Sequence, residues 1–255
     1  MNNGDSTFDQ EIKSQGVPFS MDDTYEQEVI LPNMIRLLDI KSGDRVLDVD
    51  CGQGYFSKVF AERGAEVIGL SSSFQLIEMA KQKTGPREKY IVLPPNRLSG
   101  NISPETIDKA YIILGLEAIS DIQEVISEVS KTLKLGGKFY IVIKHPSFRT
   151  SSITAWVMDE ESGIKYRCVG EYLSESRIGL EKIIDNENVT NEYSYHRPLQ
   201  LYFKALVKNK LAVTRLEEWN SHRKAMPGSH QKAEDKAIKE IPMFMMLECE
   251  KSIFK

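Results

Sequence analysis

Two carboxylates and two glycines stand within seven residues, Asp48-Val49-Asp50-Cys51-Gly52-Gln53-Gly54. They close an apolar run that includes Val46 and Leu47, and a helical pattern starts at Tyr55. A strand that ends in a glycine turn and enters a helix carries its backbone close to a bound ligand. Nucleotide-like cofactors are held at such crevices. Carboxylates beside the turn suit hydroxyl or ammonium donors on the ligand. Asp50 stands where a turn of this kind usually wants glycine.

A second group of residues lies downstream. His145 follows an apolar run, and its imidazole suits general-base work near neutral pH. The alternative is a hinge or capping residue held by Pro146. His196 and Arg197 suit an anionic substrate group, because a guanidinium fork matches carboxylates and phosphates. The same pair also reads as a helix-start motif bonded to nearby backbone. Phe148, Trp156, Tyr166, Tyr172, Tyr195 and Trp219 either line a substrate chamber or lid or form a satellite core. Tyr25 either closes over the cofactor or faces the core. The four histidines lack metal-ligand spacing, so no metal is assigned. Cys51, Cys168 and Cys249 are far apart and odd in number, which fits reduced thiols.

The elements that must position these groups alternate. Residues 23–38 read as helix, broken or restarted at Pro32. Residues 45–49 read as a buried strand and 55–63 as helix, closed by Gly64. A strand at 65–70 follows, then a helix to about Gln82 with Ser72 and Gln75 as a capping box. Strands are expected at 89–93, around 110–114 and at 138–143, with a helix at 121–133 whose apolar residues recur at helical spacing. Alternating strands and helices over about the first 145 residues imply a parallel sheet covered on both faces. Residues 147–195 show weak periodicity and read as a substrate or lid insertion. A helix at 197–208, a strand at 211–219, a charged loop and exposed helix at 220–240, and a strand at 241–249 complete the pattern. Residues 1–20 read as a flexible arm and 21–255 as a single domain.

The net charge of −4 argues against a polyanion binder working by bulk charge. The mixed-sign stretch from His222 to Glu240 reads as a solvated helix rather than a nucleic-acid contact. Residues 1–20 lack the apolar core of a signal peptide, and no apolar run approaches the ~20 residues that span a bilayer. The expectation is a cytoplasmic protein with no membrane or nucleic-acid partner.

In this order and at these spacings, several segments resemble the class I S-adenosylmethionine (SAM)-dependent methyltransferases. They are Val46 to Gly54, Val67-Ile68-Gly69-Leu70 with its following helix, Ile107-Asp108-Lys109-Ala110, and Leu133-Lys134-Leu135-Gly136-Gly137. Five later stretches are similar to one bacterial branch of small-molecule type. These are His145-Pro146-Ser147-Phe148-Arg149, Tyr166-Arg167, Tyr195 to Gln200, Glu217-Glu218-Trp219 and Glu240-Ile241-Pro242. The resemblance implies a Rossmann-like α/β fold with a seven-stranded, mostly parallel sheet, the last strand antiparallel. It implies SAM as cofactor and a small-molecule methyl acceptor, with Asp48, Asp50, Gly52, Gly54, Ser71, Ser72, Pro95 and Leu114 at the cofactor. Tyr25, Arg149, Tyr166, His196 and Arg197 fall on the substrate side, and His145 as base. The oligomeric state stays open between a homodimer and a heteromer with a paralogue.

Three positions depart from the family pattern. Asp50 replaces the first loop glycine, Ser71 the acid that meets the ribose, and Pro94 an aspartate at the adenine. A serine in place of the ribose acid forgoes a charged hydrogen-bond pair, roughly 1.5–3 kcal/mol. The rival reading is therefore a degenerate methyltransferase-like binding module, or the partner of an active paralogue. An NAD-type dehydrogenase fits less well, because Ser71 also removes the ribose acid of that class.

Overall fold

In a computed structural model, residues 25–149, 154–183 and 189–252 are described. The polar arm expected at 1–20 lies outside them. Strands β1 (Arg45–Val49), β2 (Glu66–Ser71), β3 (Glu88–Val92), β4 (Ile107–Ile113) and β5 (Leu133–Lys144) run parallel. Several are apolar at successive positions because both sheet faces are covered. Side chains alternate between the two faces. Val46, Tyr111, Tyr140 and Val142 pack on one side with the N-terminal helix and Phe60. Leu47, Ile112, Phe139 and Ile141 pack on the other with Val125, Val129, Tyr202 and Leu206.

The helices are α1 (Leu31–Leu38), α2 (Tyr55–Glu62), α3 (Phe74–Lys81), α4 (Ile122–Thr132), α5 (Leu199–Lys208) and α6 (Gln231–Glu240). A π-helical turn, Glu26–Ile30, precedes α1, and Pro32 sits in the first turn of α1, where its missing donor costs nothing. Asp121 caps α4 by accepting the amides of Gln123 and Glu124. At α3 the expected capping box is corrected. Ser73 is the cap and accepts the amide of Leu76, while Ser72 is exposed outside the helix. The strand runs one residue further than the sequence suggested, through Ser71, and so moves the helix start along.

After β5 come two hairpins, β6 (Thr154–Asp159) with β7 (Ile164–Val169), and β8 (Ser176–Ile183) with β9 (Val189–His196). The chain then forms α5, β10 (Leu211–Trp219), α6 and β11 (Phe244–Lys251). The seven-stranded sheet has the order β10-β11-β5-β4-β1-β2-β3. Strand β11 is antiparallel to both β5 and β10. The chain builds outward from β1 to β3, then returns to place β4 on the other side of β1. The strand ends therefore diverge between β1 and β4, which makes the ligand crevice of a doubly wound sheet. No helix among the described residues is long and apolar enough to cross a membrane.

Candidate cofactor site

The turn after β1 has three left-handed residues in five: Asp50 at φ 72°, Gly52 at 54° and Gly54 at 79°. Glycine takes this conformation freely. For Asp50 it costs on the order of 1 kcal/mol, though aspartate tolerates it better than most residues. Across the crevice, Leu114 is also left-handed, at φ 55°, where β4 ends. Two non-glycine residues thus hold strained backbone on either side of the switch point, and such strain concentrates at working sites. Gly52 has no heavy atom within 4 Å of the position a Cβ would take, so its backbone faces open space. Gly54 is walled by the Tyr90 ring, which reaches over Gly69 from β3.

Asp48 lies beneath the turn and is buried. Its Oδ2 accepts the hydroxyls of Ser57 (2.6 Å) and Tyr111 (2.7 Å). Burial pushes its carboxyl up to about 7, against the opposing pull of those hydrogen bonds. The acid fixes α2 to β4 through these partners. Asp50 extends across the crevice. Its Oδ1 lies 3.5 Å from the Ser71 hydroxyl, and a Cβ on Gly115 would come within 2.7 Å of its Oδ2. Ser71 is buried and also accepts the amide of Ser73 (3.2 Å). Pro94 and Pro95 are half-buried just past β3, and the Pro94 carbonyl accepts the amide of Arg97. Among the residues expected at the cofactor, Asp50, Ser71 and Leu114 come together at the strand ends with the Gly52–Gly54 turn, whereas Ser72 points to solvent.

The substrate-side residues divide. His145 is buried at the end of β5. Its Nδ1 accepts the amide of Ser147 (3.2 Å), and its Nε2 faces Glu218 Oε1 at 2.7 Å. Burial lowers its pKa, opposed by Glu218. With Nδ1 accepting the Ser147 amide, Nε2 carries the proton directed at Glu218. Arg149 donates to the carbonyls of Pro242 (3.2 Å) and Ile241 (3.1 Å) and lies 5.2 Å from the centre of the Trp156 ring. Desolvation, with Arg167 nearby, brings it down to about 10. Tyr25 packs edge-on against His222 and Phe244, beyond the ends of β10 and β11. Tyr166 lies on the exposed face of the β6–β7 hairpin, away from the inward Trp156 and Arg167.

His196 and Arg197 take the backbone-bonding role that the sequence allowed as an alternative. His196 is buried, and its Nε2 donates to the Tyr172 carbonyl (2.9 Å). Arg197 donates through Nη2 to the carbonyls of Ile119 (2.5 Å) and Ser120 (2.8 Å), latching the second hairpin to the turn after β4. Replacing Arg197 with leucine leaves those carbonyls without their donor, an expected cost of about 2 kcal/mol. The melting temperature should drop by roughly 4–8 °C. A thermal scan showing a change under about 1 °C would remove the latch.

The structure also brings in groups that the sequence did not mark. Glu117, in the 3₁₀ turn Leu116–Ala118, is buried and accepts the amide of Lys144 (2.7 Å). Burial raises it to about 7, with Lys144 and Arg197 pulling the other way. Glu218 holds His145. Gly115 seats Asp50. Its one visible signal was a glycine two residues after a strand, opposite an acid in the β1 turn.

Fold and crevice together define a nucleoside-cofactor protein of the doubly wound class. Comparison with known proteins sharpens this. Residues 47–141 match the methyltransferase domain family. Over 109 residues the chain is 29% identical to a demethylmenaquinone methyltransferase of Thermobifida fusca, covering 42% of this chain and 46% of the relative. It is 31% identical over 120 residues to a malonyl-[acyl-carrier protein] O-methyltransferase of Hamiltonella defensa, covering 45% of each chain. The chain thus spans about half the length of these curated relatives. A crystal structure of an S-adenosylmethionine-dependent methyltransferase from Mesorhizobium loti superposes with a TM-score of 0.70 at 24% identity, over 91% of this chain and all of that one. The fold is that of the class I SAM-dependent methyltransferases, and residues 47–141 carry the match to the methyltransferase domain family.

The crevice fits the family's cofactor on its own geometry. Gly52 offers open backbone, and Asp50 sets a carboxylate at the mouth between β2 and β4.

Proposed function

We propose that this protein transfers a methyl group from SAM to a small molecule. The observation that carries the reading is the crevice between β1 and β4, where the turn from Asp50 to Gly54 bears open backbone and a carboxylate together. Gly52 and Gly54 would face the methionine part, and Asp48 would hold the turn to α2. When bound, SAM supplies a methyl group already activated by its sulfonium. The protein's contribution is then mainly alignment of the acceptor, which is worth many orders of magnitude in rate. No catalytic triad is required.

The acceptor would lie over the ends of β4 and β5, on the side of Glu117 and His145. There the His145 ring holds Glu218, and Arg149 and Tyr25 pack near the start of β11. Small-molecule chemistry is supported by the name of the demethylmenaquinone relative. The rival of a degenerate binding module draws no support from relatives named as methyltransferases.

Calorimetric titration with SAM and with S-adenosylhomocysteine tests this directly. Dissociation constants in the roughly micromolar to millimolar range usual for enzyme ligands are expected. No heat from either ligand at millimolar concentration sinks the reading.

A further inference from the structure

A ribose presents two neighbouring hydroxyls, and doubly wound sheets meet them with a carboxylate placed after the second strand. Here β2 ends in Ser71, which is 1% exposed and whose hydroxyl already accepts the Ser73 amide. Asp48 is no substitute, because it lies below the turn and its Oδ2 is committed to Ser57 and Tyr111. Asp50 does reach the place. From the end of β1 its Oδ1 comes to 3.5 Å from the Ser71 hydroxyl. Its Oδ2 and Cβ lie against Gly115, where a Cβ would be only 2.7 Å and 3.2 Å from them. The side chain therefore fills a gap that exists because residue 71 is small and residue 115 has no side chain. An acid that had merely intruded into the crevice would need no such seat.

We propose that Asp50 supplies, from the end of β1, the ribose-binding carboxylate that Ser71 lacks, with Gly115 as its seat. This rests on the SAM reading above. The acid is moved between neighbouring strand ends, so the two positions must be exchanged together. Asp50→Asn keeps the shape and removes the charge. Ser71→Asp alone sets two carboxylates side by side. Asp50→Gly with Ser71→Asp restores one acid at the other strand end.

Calorimetry on the full chain with SAM, S-adenosylhomocysteine and adenosine reads each case. Asp50→Asn should weaken all three ligands alike, by roughly 10- to 100-fold, as expected for loss of a charged hydrogen-bond pair. Ser71→Asp alone should also weaken binding, and the double variant should return to within several-fold of the wild type. Asp50→Gly should bind poorly yet melt higher by roughly 2–4 °C, because glycine relieves the left-handed backbone. That rise separates lost binding from lost folding. Equal or tighter binding by Asp50→Asn would falsify the assignment. A loss confined to SAM, with S-adenosylhomocysteine unchanged, places the carboxylate at the sulfonium and overturns it too. A wild type that binds none of the three ligands overturns the cofactor reading itself.

Discussion

Gly54→Ala is expected to destabilise the protein by about 3 kcal/mol and to abolish measurable cofactor binding. Two costs add. At φ 79° a side chain is held in the left-handed region, at roughly 1–2 kcal/mol. The new methyl would also collide with Tyr90, coming within 2.7 Å of Cζ and closer still to the hydroxyl. That ring cannot swing away easily. It is 7% exposed, its hydroxyl donates to Glu88 Oε2 at 2.9 Å, and it lies across Gly69. Overpacking of a held side chain costs roughly 1–3 kcal/mol. For a chain of this size the melting temperature should fall by roughly 6–12 °C.

Gly52→Ala is the control. It has a left-handed φ of 54° but nothing within 4 Å of the new atom. It should lose only about 1 kcal/mol, the backbone share alone. Equal losses at the two glycines in a thermal scan would show that Tyr90 is no wall. Tyr90→Leu in the Gly54→Ala background should recover part of the difference, with a coupling of about 1 kcal/mol or more in the double-mutant cycle.

The turn at 48–54 was legible because three signals coincide there: an apolar run, glycines and an abrupt change to helical period. Strand β10 was legible to the residue, Leu211–Trp219, through its β-branched and apolar content. The two hairpins at 154–196 were not. Their binary pattern is inverted in β7, where Lys165 and Arg167 face inward over the Trp156 ring at 5.7 Å and 5.3 Å. Val157, Ile164 and Tyr166 face solvent instead. A reading that seeks apolar residues on the inner face finds no period in such a strand. Cation–π contact replaces apolar burial there.

Glu117 was hidden for another reason. A single glutamate after a strand has no sequence signature. Its burial answers a need created by β5, whose last residue, Lys144, has an amide that requires an acceptor. Asp50 shows the reverse case. Its departure from glycine was plain, but the sequence alone made it look like damage. The meaning came from Ser71 and Gly115, which lie 21 and 65 residues after it along the chain as unrelated small residues, and the strand order makes them neighbours.

Asp48→Asn should remove part of the protein's dependence of stability on pH. The carboxyl of Asp48 is raised from an ordinary 3.8 to about 7 when folded, chiefly by burial. Between those values the folded state holds a proton that the unfolded state has released. Stability therefore falls as pH rises through this window, by up to about 4 kcal/mol, and is level above it. Asparagine can accept the Ser57 and Tyr111 hydroxyls through Oδ1 yet does not titrate. Relative to the wild type, the variant should thus gain about 4 kcal/mol between pH 4 and pH 8. Glu117 slopes in the same direction and His145 in the opposite one, but both are present in each protein and cancel in the difference. Denaturant unfolding at pH 4, 5.5, 7 and 8 measures it. A difference that stays flat across the series would place the titration elsewhere. A carboxylate kept at this cost beneath a ligand-facing turn does little for the core that asparagine would not do as well. With the carboxyl raised to about 7, what the substitution removes at neutral pH is a group part-way through its titration, held by the Ser57 and Tyr111 hydroxyls.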